Sequence, residues 1–447
     1  MVDVYFMNAR AKTFLDSYAI KARQLFEMAG FETAISCGDI VAIKMHMGEA
    51  YTAGYLRPNI VRVFVDKVKE LGGKPFVTDT TTMPYHPWIS RSIAIDYLET
   101  ANQNGFTHSS MGCPVIIADG WIGTDDVTVD LGGRGCYLKK QFVARAIADA
   151  DVIISLAHFK GHPAGGYGGS IKNVGVGCAS KRGKMNIHGA LAGDKPILHK
   201  ERCPGKKCIW WKVCEQCCPE EAVKVTAHSV ELDLEKCVYC FACANLCTNV
   251  AGVRAIERFD DIQALGRRIA DSALACTLTK KRSKIAYVNF ALDISPICDC
   301  YGWTDTPIVN DIGVLASWDP VALDKACIDL LNAADGLKGS AAEDANVIVC
   351  GAKKLNEISK KDVETQIYGG NENGLGSAKY TLITKETIKS KEYMEKIYPE
   401  ISANKLKDMY KRQHPLAGIN CHSFGKPTKQ VKGVKYPKKR SQFYIQI

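Results

Sequence analysis

The sequence lacks long hydrophobic runs. No window approaches the roughly 18 uninterrupted apolar residues of a membrane-spanning helix, so no membrane partner is expected. No N-terminal apolar run is followed by a small-residue cleavage site, so export is not expected either. A Walker A loop and a Rossmann fingerprint are also missing. We therefore expect a cytoplasmic protein. Its function cannot be assigned from either of these two nucleotide-binding motifs.

Positive and negative charges nearly balance over most of the chain. Before Lys379, 42 basic residues face 43 acidic ones, whereas Lys379 to Ile447 carries 16 basic and five acidic residues. No aromatic interleaving or nucleic-acid motif accompanies this charge, so nucleic acid is not an expected partner. The remaining interpretations are a solvated extension of the core, or a surface that docks an acidic electron carrier or a neighbouring subunit of an oligomer.

Cysteine, by contrast, is abundant, with 19 residues in 447. With no sign of export, these thiols are expected to be reduced. Cys237, Cys240, Cys243 and Cys247 form the C-x2-C-x2-C-x3-C run of bacterial ferredoxins, in which three thiolates hold one 4Fe-4S cluster and the fourth ligates another. The run therefore predicts a metal-binding segment with more than one cluster.

An imperfect copy of this run lies 29 residues earlier. The four ligand positions fall on Cys208, Trp211, Cys214 and Cys218, so three of the four recur. We therefore predict a duplicated, ferredoxin-like α+β module that binds two 4Fe-4S clusters. A structural zinc on four thiolates is the alternative, but the tight spacing is more typical of iron-sulfur sites.

Trp211 leaves the first predicted cluster one ligand short, because an indole cannot bind iron. Cys203 and Cys217 stand nearby, and Cys203 is favoured because Pro204 and Gly205 loosen its loop. A cluster with three thiolates and one open iron is the third alternative. The sequence leaves the choice among Cys203, Cys217 and an open site undecided.

Apolar segments with strand and helix character alternate along the rest of the chain. Strands are predicted at residues 2–7, 40–47, 74–79, 115–118, 127–131, 152–156, 285–292 and 308–309. Helices are predicted at about residues 12–29, 58–71, 88–104, 139–150, 261–275 and 320–331. This alternation indicates an α/β fold, with a mainly parallel sheet and helices on both faces. We divide the chain into an α/β domain (1–198 and 259–352), the inserted iron-sulfur module (199–258) and a basic C-terminal extension (353–447).

Polar side chains follow the predicted strands where ligands of α/β sheets usually bind. We take these strand-end residues, and two further polar residues, Lys172 and Asp311, as candidate catalytic groups: His46, Glu49, Asp79, His158, Lys160, His162, Lys172 and Asp311. A single such residue would more often make an ordinary loop hydrogen bond, but three successive strand ends indicate a cleft. Asp319, in contrast, is explained as a helix N-cap before Pro320.

Two further segments carry candidate binding groups. The glycine-rich loop with Gly168, Gly169 and Ser170 precedes a predicted helix, where backbone amides can bind an anionic cofactor; a tight turn packed on the sheet explains the glycines almost as well. Cys298 and Cys300 could chelate a metal or attack an electrophile, or could be buried structural thiols. Whether a flavin or a further metal is bound stays open.

Five motifs occur in an order that matches a known family. They are IKMHMGEAYTAGYLRP, FVTDT, HFKGHPAGGYGGSIKNVGVGCASKRGK, CDCYG and VNDIGVLASWDPVALDKA. Together with the cysteine-rich insertion, they resemble the iron-sulfur-binding branch of the family called domain of unknown function 362, over roughly residues 1–350. The resemblance implies an α/β protein with a two-cluster ferredoxin module inserted late in its sheet, common in anaerobic bacteria and archaea. Trp211 departs from the pattern, and the family supplies no reaction.

These features predict an oxidoreductase. Electrons would enter from a ferredoxin-like donor, pass singly through the clusters and reach a substrate or second cofactor in the α/β cleft. His158 or His162 would supply protons, and Lys160 or Lys172 would bind a negative group of a small anionic substrate. The alternative is an electron-transfer or metal-handling module without its own substrate. In a third possibility, the His and Cys residues outside the insertion bind an additional metal.

Overall fold

The computed structural model describes residues 1–83, 89–189, 195–258 and 261–397. Its contacts divide the chain into two units, Met1–Thr387 and Ile388–Ile447. Most of the basic segment from Lys379 onward lies outside the described residues, so its role stays a prediction. The four-part division of the chain, which rests on sequence alone, also stays a prediction.

Eight strands of the first unit form one sheet. Within the described residues, the strands are β1 (Val2–Asn8), β2 (Ile40–Lys44), β3 (Lys74–Asp79), β4 (Val115–Ile117), β5 (Asp126–Asp130), β6 (Lys140–Ala144), β7 (Val152–His158), β8 (Lys160–His162), β9 (Gly166–Gly168), β10 (Ile197–Leu198), β11 (Val223–Val225), β12 (Val230–Leu232), β13 (Ile256–Glu257), β14 (Ile285–Ala291), β15 (Gly313–Ser317) and β16 (Tyr380–Thr384). The large sheet has the order β16-β1-β15-β14-β7-β2-β3-β4. Only β15 runs antiparallel to its neighbours, β1 and β14; the other pairs in the sheet are parallel.

Helices connect and cover these strands. In the part of the chain that the structure describes, the α-helices are α1 (Tyr18–Met28), α2 (Pro58–Glu70), α3 (Ala94–Gln103), α4 (His108–Met111), α5 (Arg145–Asp149), α6 (Ser170–Gly175), α7 (Lys181–Ile187), α8 (Val213–Gln216), α9 (Ala242–Asn245), α10 (Ile262–Leu278), α11 (Pro320–Ala333), α12 (Ala341–Asp344), α13 (Lys354–Ser359) and α14 (Thr365–Glu372) in the first unit, and α15 (Lys391–Ile397) in the second. Within the described ranges, no helix is both long and apolar enough to cross a bilayer.

Side chains of the central strands alternate between two hydrophobic cores. In β7, Ile153 packs in the core that contains α6, α10 and α11, whereas Ile154 packs in the core that contains α1, α2 and α3. Tyr287 and Val288 of β14 divide in the same way. All seven residues of β7 are buried, as expected for a strand covered on both faces. The structure therefore confirms the α/β class, with a large mixed sheet of mostly parallel strands.

Local sequence signals explain several boundaries. Pro58 stands at the first position of α2, where its missing N–H costs nothing. Asp319 caps α11 as predicted, because its Oδ1 accepts from the N–H groups of Val321 at 2.9 Å and Ala322 at 3.0 Å. The helix predicted at 139–150 is partly wrong. Its first half is β6, which pairs antiparallel with β5, so strand pairing overrides the helical spacing there.

The cysteine-rich segment has a small hydrophobic core of its own. The hairpin β11–β12 contributes Val223 and Val230, and the segment around α9 contributes Phe241 and Ala244. Met83, from the loop after β3, packs into the same core. The antiparallel pair β10–β13 joins the two ends of this segment. The α/β sheet and the cysteine-rich segment therefore pack against each other.

Candidate functional site

A cavity of about 710 Å³ lies at the carboxyl ends of β2, β3 and β7. The terminal residues of these strands, Lys44, Asp79 and His158, all line it. Other predicted site residues in its wall are His46, Glu49, Lys160, His162, Gly168, Gly169, Lys172 and Cys300. Carboxyl ends of parallel strands meet at one edge of a sheet, which explains why separate strand-end residues come together.

Two carboxylates of the cavity are held in ion pairs. Asp79 Oδ1 lies 2.9 Å from Lys44 Nζ, and Glu49 Oε2 lies 2.9 Å from Arg91 Nε. Burial opposes ionisation of Asp79, but the charge of Lys44 and the hydrogen bond from the Tyr97 hydroxyl help to lower its pKa to about 2. The pKa of Glu49 is lowered as well, because Arg91 outweighs burial. Both carboxylates are therefore ionised counter-ions rather than proton acceptors at neutral pH.

Both ring nitrogens of His158 are held in buried contacts, one of them with Asp299. Its Nδ1 lies 3.0 Å from both carboxylate oxygens of Asp299, and its Nε2 lies 2.7 Å from the carbonyl oxygen of Leu292. Carbonyl and ionised carboxylate oxygens only accept, so both ring nitrogens face hydrogen-bond acceptors of the protein itself. Lys160 Nζ adds a contact of 2.8 Å to Asp299, whose pKa is held far below its usual range by His158 and Lys160 despite burial. This geometry leaves His158 no ring nitrogen with which to serve a substrate.

His162 and the two thiols of Cys298 and Cys300 form a compact group. Donor atoms of these three residues all lie within 4.8 Å of one another, an arrangement compatible with a metal. Cys298 does not itself line the cavity, but its Sγ accepts from Lys172 Nζ at 3.5 Å. Burial by itself would raise the pKa of Cys298. The hydrogen bond from Cys300 and the charge of Lys172 outweigh burial and lower this pKa well below its usual value.

The cavity carries an excess of positive charge. Two acidic side chains, Glu49 and Asp79, face six basic ones in its wall: Lys44, Arg91, Lys160, Lys172, Lys184 and Arg258. Lys184 is buried and donates to Thr80 Oγ1 at 2.5 Å and to the carbonyl oxygen of Ala179 at 2.6 Å. Loss of hydration lowers its pKa to about 8, although Asp119 and Asp79 oppose this shift. An anionic ligand would therefore find compensating charge here.

The candidate residues chosen from the sequence omitted four of these six basic side chains: Lys44, Arg91, Lys184 and Arg258. Lys184 ends the longest of the five family motifs, which was the one available signal for it. Arg91 follows no predicted strand and reaches the cavity through its pairing with Glu49. Arg258 directly follows β13, at the end of the cysteine-rich segment.

The glycine-rich loop does not leave its backbone amides open for an anionic cofactor. The N–H groups of Ser170 and Ile171 donate to the two carboxylate oxygens of Asp324 at 2.7 and 2.9 Å. A Cβ at Gly169 would lie 2.4 Å from Asp324 Oδ1, so this close approach requires glycine. A carboxylate of the chain itself thus takes the anion position expected of Gly168, Gly169 and Ser170. Ser170, unlike the two glycines, does not line the cavity.

Asp311 also has a different place from the predicted one. It is not among the residues of the cavity wall. Its carboxylate accepts from the Tyr18 hydroxyl at 2.7 Å and from the Asp293 N–H at 2.7 Å. Asp293 has a φ of 46°, an unfavourable value for a residue with a side chain. Asp311 therefore holds a strained turn rather than facing the cleft.

The thiols of the cysteine-rich segment fall into two groups. A small cavity of about 30 Å³ is lined by the first thiol group, Cys203, Cys208, Cys214 and Cys247. The second thiol group is Cys218, Cys237, Cys240 and Cys243. After burial, the nearby Cys218 contributes to the raised pKa of the other three members, and Cys217, beside the group, also contributes to that of Cys243. Trp211 lines the small cavity, whereas Cys217 does not.

The cysteine-rich segment also forms part of the wall of the large cavity. Asn245, two residues after Cys243, lines the 710 Å³ space, as do Val250 and Arg258. Cys243 of the second thiol group and Cys247 of the first both lie in the stretch just before Val250. The segment that carries the thiols therefore borders the cationic cavity, although none of its nine cysteines lines the wall.

Fold and site together define an α/β protein with a cationic strand-end cavity beside a cysteine-rich segment. The chain belongs to the family described as Domain of unknown function (DUF362), whose model matches residues 41–329. This match confirms the family predicted from the five sequence motifs. No curated protein matches the chain. Among solved structures, the lactate racemase apoprotein from Thermoanaerobacterium thermosaccharolyticum is similar over 89% of this chain and 86% of its own, with 10% identity and a TM-score of 0.34.

Proposed function

We propose that this protein is an iron-sulfur oxidoreductase that reduces or oxidises a small anionic substrate in the 710 Å³ cavity. Two 4Fe-4S clusters, held by the two thiol groups, would supply single electrons received from a ferredoxin-like partner. One observation carries the proposal. Eight of the nine thiols of the cysteine-rich segment divide into two sets of four, and the segment that holds them contributes to the wall of the cationic cavity.

The membership of the two thiol groups supports ferredoxin-like ligation. Cys247 ends the second cysteine run but lies with Cys208 and Cys214 of the first. Cys218 ends the first run but lies with the three other thiols of the second. This exchange of the fourth cysteine is the arrangement in which each run completes the ligand set of the other. A mononuclear zinc site on each run would have no need of it.

The chemistry of the thiols also fits metal clusters. Burial and neighbouring thiols raise the pKa of Cys214 to about 12. For Cys247, burial acts first and the nearby Cys203 and Cys208 add to it. Four thiols at this spacing thus resist ionisation while they are unbound, and bound cations would offset their mutual repulsion. The segment is therefore a poor place for free thiolates and a suitable one for a metal cluster.

The size and charge of the cavity favour an enzyme over an electron carrier without a substrate. A volume of about 710 Å³ is in the range of ligand pockets, and six basic side chains face two acidic ones. A module that only relays electrons has no need of a cationic strand-end pocket. His46 can serve as a hydrogen-bond donor to the substrate. Its Nδ1 accepts from the Gly48 N–H at 2.8 Å, which leaves the proton on Nε2.

Metal analysis tests this proposal directly. Protein purified without oxygen is expected to be brown and to contain about eight iron atoms and about eight acid-labile sulfides per chain. Reduction should produce electron paramagnetic resonance signals of two interacting clusters. Colourless protein without inorganic sulfide, or protein with zinc on these thiols, would contradict the proposal.

Anion binding should weaken as the pH rises through the pKa of Lys184. That pKa is about 8, so the ammonium loses its charge within a range where an ordinary lysine keeps it. Sulfate is a suitable probe because its charge is constant in this range. Calorimetric titration should show affinity falling by up to about tenfold per pH unit above about pH 8.

Two variants isolate the contribution of Lys184 to this pH dependence. Lys184→Met should bind sulfate weakly at neutral pH and lose the fall in affinity. Lys181→Met, on the same helix but not in the cavity wall, should keep it. Equal pH profiles for the Lys184→Met variant and the wild type would show that Lys184 does not bind the anion.

A further inference from the structure

We infer that Cys298 and Cys300 form a redox-active dithiol/disulfide pair that passes electrons to the substrate in the cavity. The inference rests on the proposed function for its electron source, a one-electron iron-sulfur donor. It assigns a chemical role to two thiols that lie outside both thiol groups of the cysteine-rich segment. Cys300 gives the pair its access, because this residue lines the 710 Å³ cavity.

The backbone holds the two sulfurs close together. Both Sγ atoms lie within 4.8 Å of each other and of His162. The Tyr301 N–H donates to the carbonyl oxygen of Cys298 at 2.9 Å and closes a turn over the pair. Asp299, between the two cysteines, is anchored by its 2.8 Å contact with Lys160. Asp299 therefore fixes the turn, and rotation of the two cysteine side chains would bring the sulfurs together.

Each sulfur has its own hydrogen-bond donor. Lys172 Nζ lies 3.5 Å from Cys298 Sγ, and His162 Nε2 lies 3.7 Å from Cys300 Sγ. A neighbouring cation or imidazole N–H stabilises a thiolate, which is the form that attacks and leaves in thiol-disulfide exchange. Buried structural cysteines have no need of such donors.

The ring orientation of His162 favours a thiol pair over a metal site. Its Nδ1 accepts from the N–H groups of Gly165 at 2.8 Å and Ala164 at 3.2 Å. The proton of the neutral ring must therefore be on Nε2, the nitrogen that faces Cys300. A metal would need that nitrogen bare, and ligating histidines usually donate through their other nitrogen. In this geometry His162 is a donor to sulfur and not a ligand.

The reaction balances as a two-electron couple. Two electrons, delivered one at a time by the iron-sulfur donor, and two protons break the Cys298–Cys300 Sγ–Sγ bond and yield two thiols. An anionic organic acceptor in the cavity then takes the two electrons and two protons, and the Sγ–Sγ bond forms again. The pair would thus connect one-electron supply to two-electron chemistry.

One tryptic peptide makes the test direct. Cleavage after Lys284 and Lys325 releases a peptide that contains Cys298 and Cys300 and no other cysteine. The intact holoprotein is equilibrated with mixtures of reduced and oxidised glutathione, quenched with acid, labelled with a maleimide and digested. We expect two forms of this peptide. The reduced form carries two labels, whereas the oxidised form carries none and is two hydrogens lighter than the unlabelled dithiol peptide. The two forms should interconvert reversibly with one two-electron midpoint.

A matched pair of thiols serves as the control. Cys178 and Cys276 also share a hydrogen bond, but both are buried in the hydrophobic core away from the cavity wall. Their peptides should stay fully labelled under the same conditions. Lys172→Met should shift the midpoint of the Cys298–Cys300 pair toward more reducing mixtures, because it removes a donor that stabilises the reduced form.

Three outcomes would overturn the inference: a peptide that remains doubly labelled in oxidised glutathione, one that carries only mixed disulfides, or one protected by a stoichiometric metal. If iron and sulfide are nevertheless present, the proposed function survives this failure. Light-driven one-electron reduction of the oxidised protein tests the link between the two. The pair could respond to glutathione and yet be reduced no faster in wild type than in Cys243→Ser. That result would support a redox-active Cys298–Cys300 pair but contradict the iron-sulfur clusters as its electron source.

Discussion

Cys203→Ser is expected to reduce the iron and sulfide of the anaerobically purified protein from about eight atoms each per chain to about four. Cys203 lines the same 30 Å³ cavity as Cys208, Cys214 and Cys247, at the place where Trp211 breaks the cysteine run. A serine hydroxyl is a much weaker ligand for iron than a thiolate. The first cluster should therefore be lost or become labile, while the second thiol group keeps its cluster.

Cys217→Ser is the matched control for this experiment. Cys217 is a neighbour of Cys218 in sequence, and its Sγ donates to the carbonyl oxygen of Cys214 at 3.3 Å. After burial, the raised pKa of Cys217 is caused by Cys240 and Cys218, both of the second thiol group, which already has four members. We expect this variant to keep about eight irons. Full iron in Cys203→Ser with loss in Cys217→Ser would reverse the assignment, and full iron in both would leave the first cluster with an open site.

The strand-end rule was a good guide to the location of the cavity. It relies only on strand positions and on the shared direction of parallel strands, and both are encoded locally in runs such as that of β7. His46, Asp79 and His158 therefore come together although more than 100 residues separate the first from the last. The rule fails for Asp311. It precedes β15, the one antiparallel strand of the sheet, and its carboxylate serves Tyr18 instead.

Long-range partners could not be predicted from sequence patterns. The glycine-rich loop has the local features of an anion-binding turn, yet Asp324, more than 150 residues later, provides the carboxylate that its amides bind. His158 likewise looks like a proton donor until Asp299 and Leu292 are seen at its two nitrogens. Local sequence specifies which groups are present, whereas the packing of distant elements decides which of them are already satisfied.

Asp299→Asn is expected to destabilise the protein strongly, by about 3–5 kcal/mol in the free energy of unfolding. The Asp299 side chain is 2% exposed and contacts both Lys160 Nζ and His158 Nδ1. The amide keeps the shape but not the charge, so the buried Lys160 ammonium would lose its counter-ion and His158 its carboxylate acceptor. Denaturant unfolding under anaerobic conditions, followed by tryptophan fluorescence, measures the change.

Asp293→Asn provides the comparison, because it removes an ion pair with the same chemistry at the surface. Asp293 lies 2.6 Å from Arg57, but the two side chains are 44% and 55% exposed, so a loss of only about 0–1 kcal/mol is expected. The pH dependence gives a second criterion. The pKa of Asp299 is held far below its usual value, so its stabilisation is complete above the unfolded-state pKa of about 4 and is lost as the pH falls. Wild type should therefore lose more stability on acidification than Asp299→Asn, and equal losses would show that this carboxylate does not hold the cavity together.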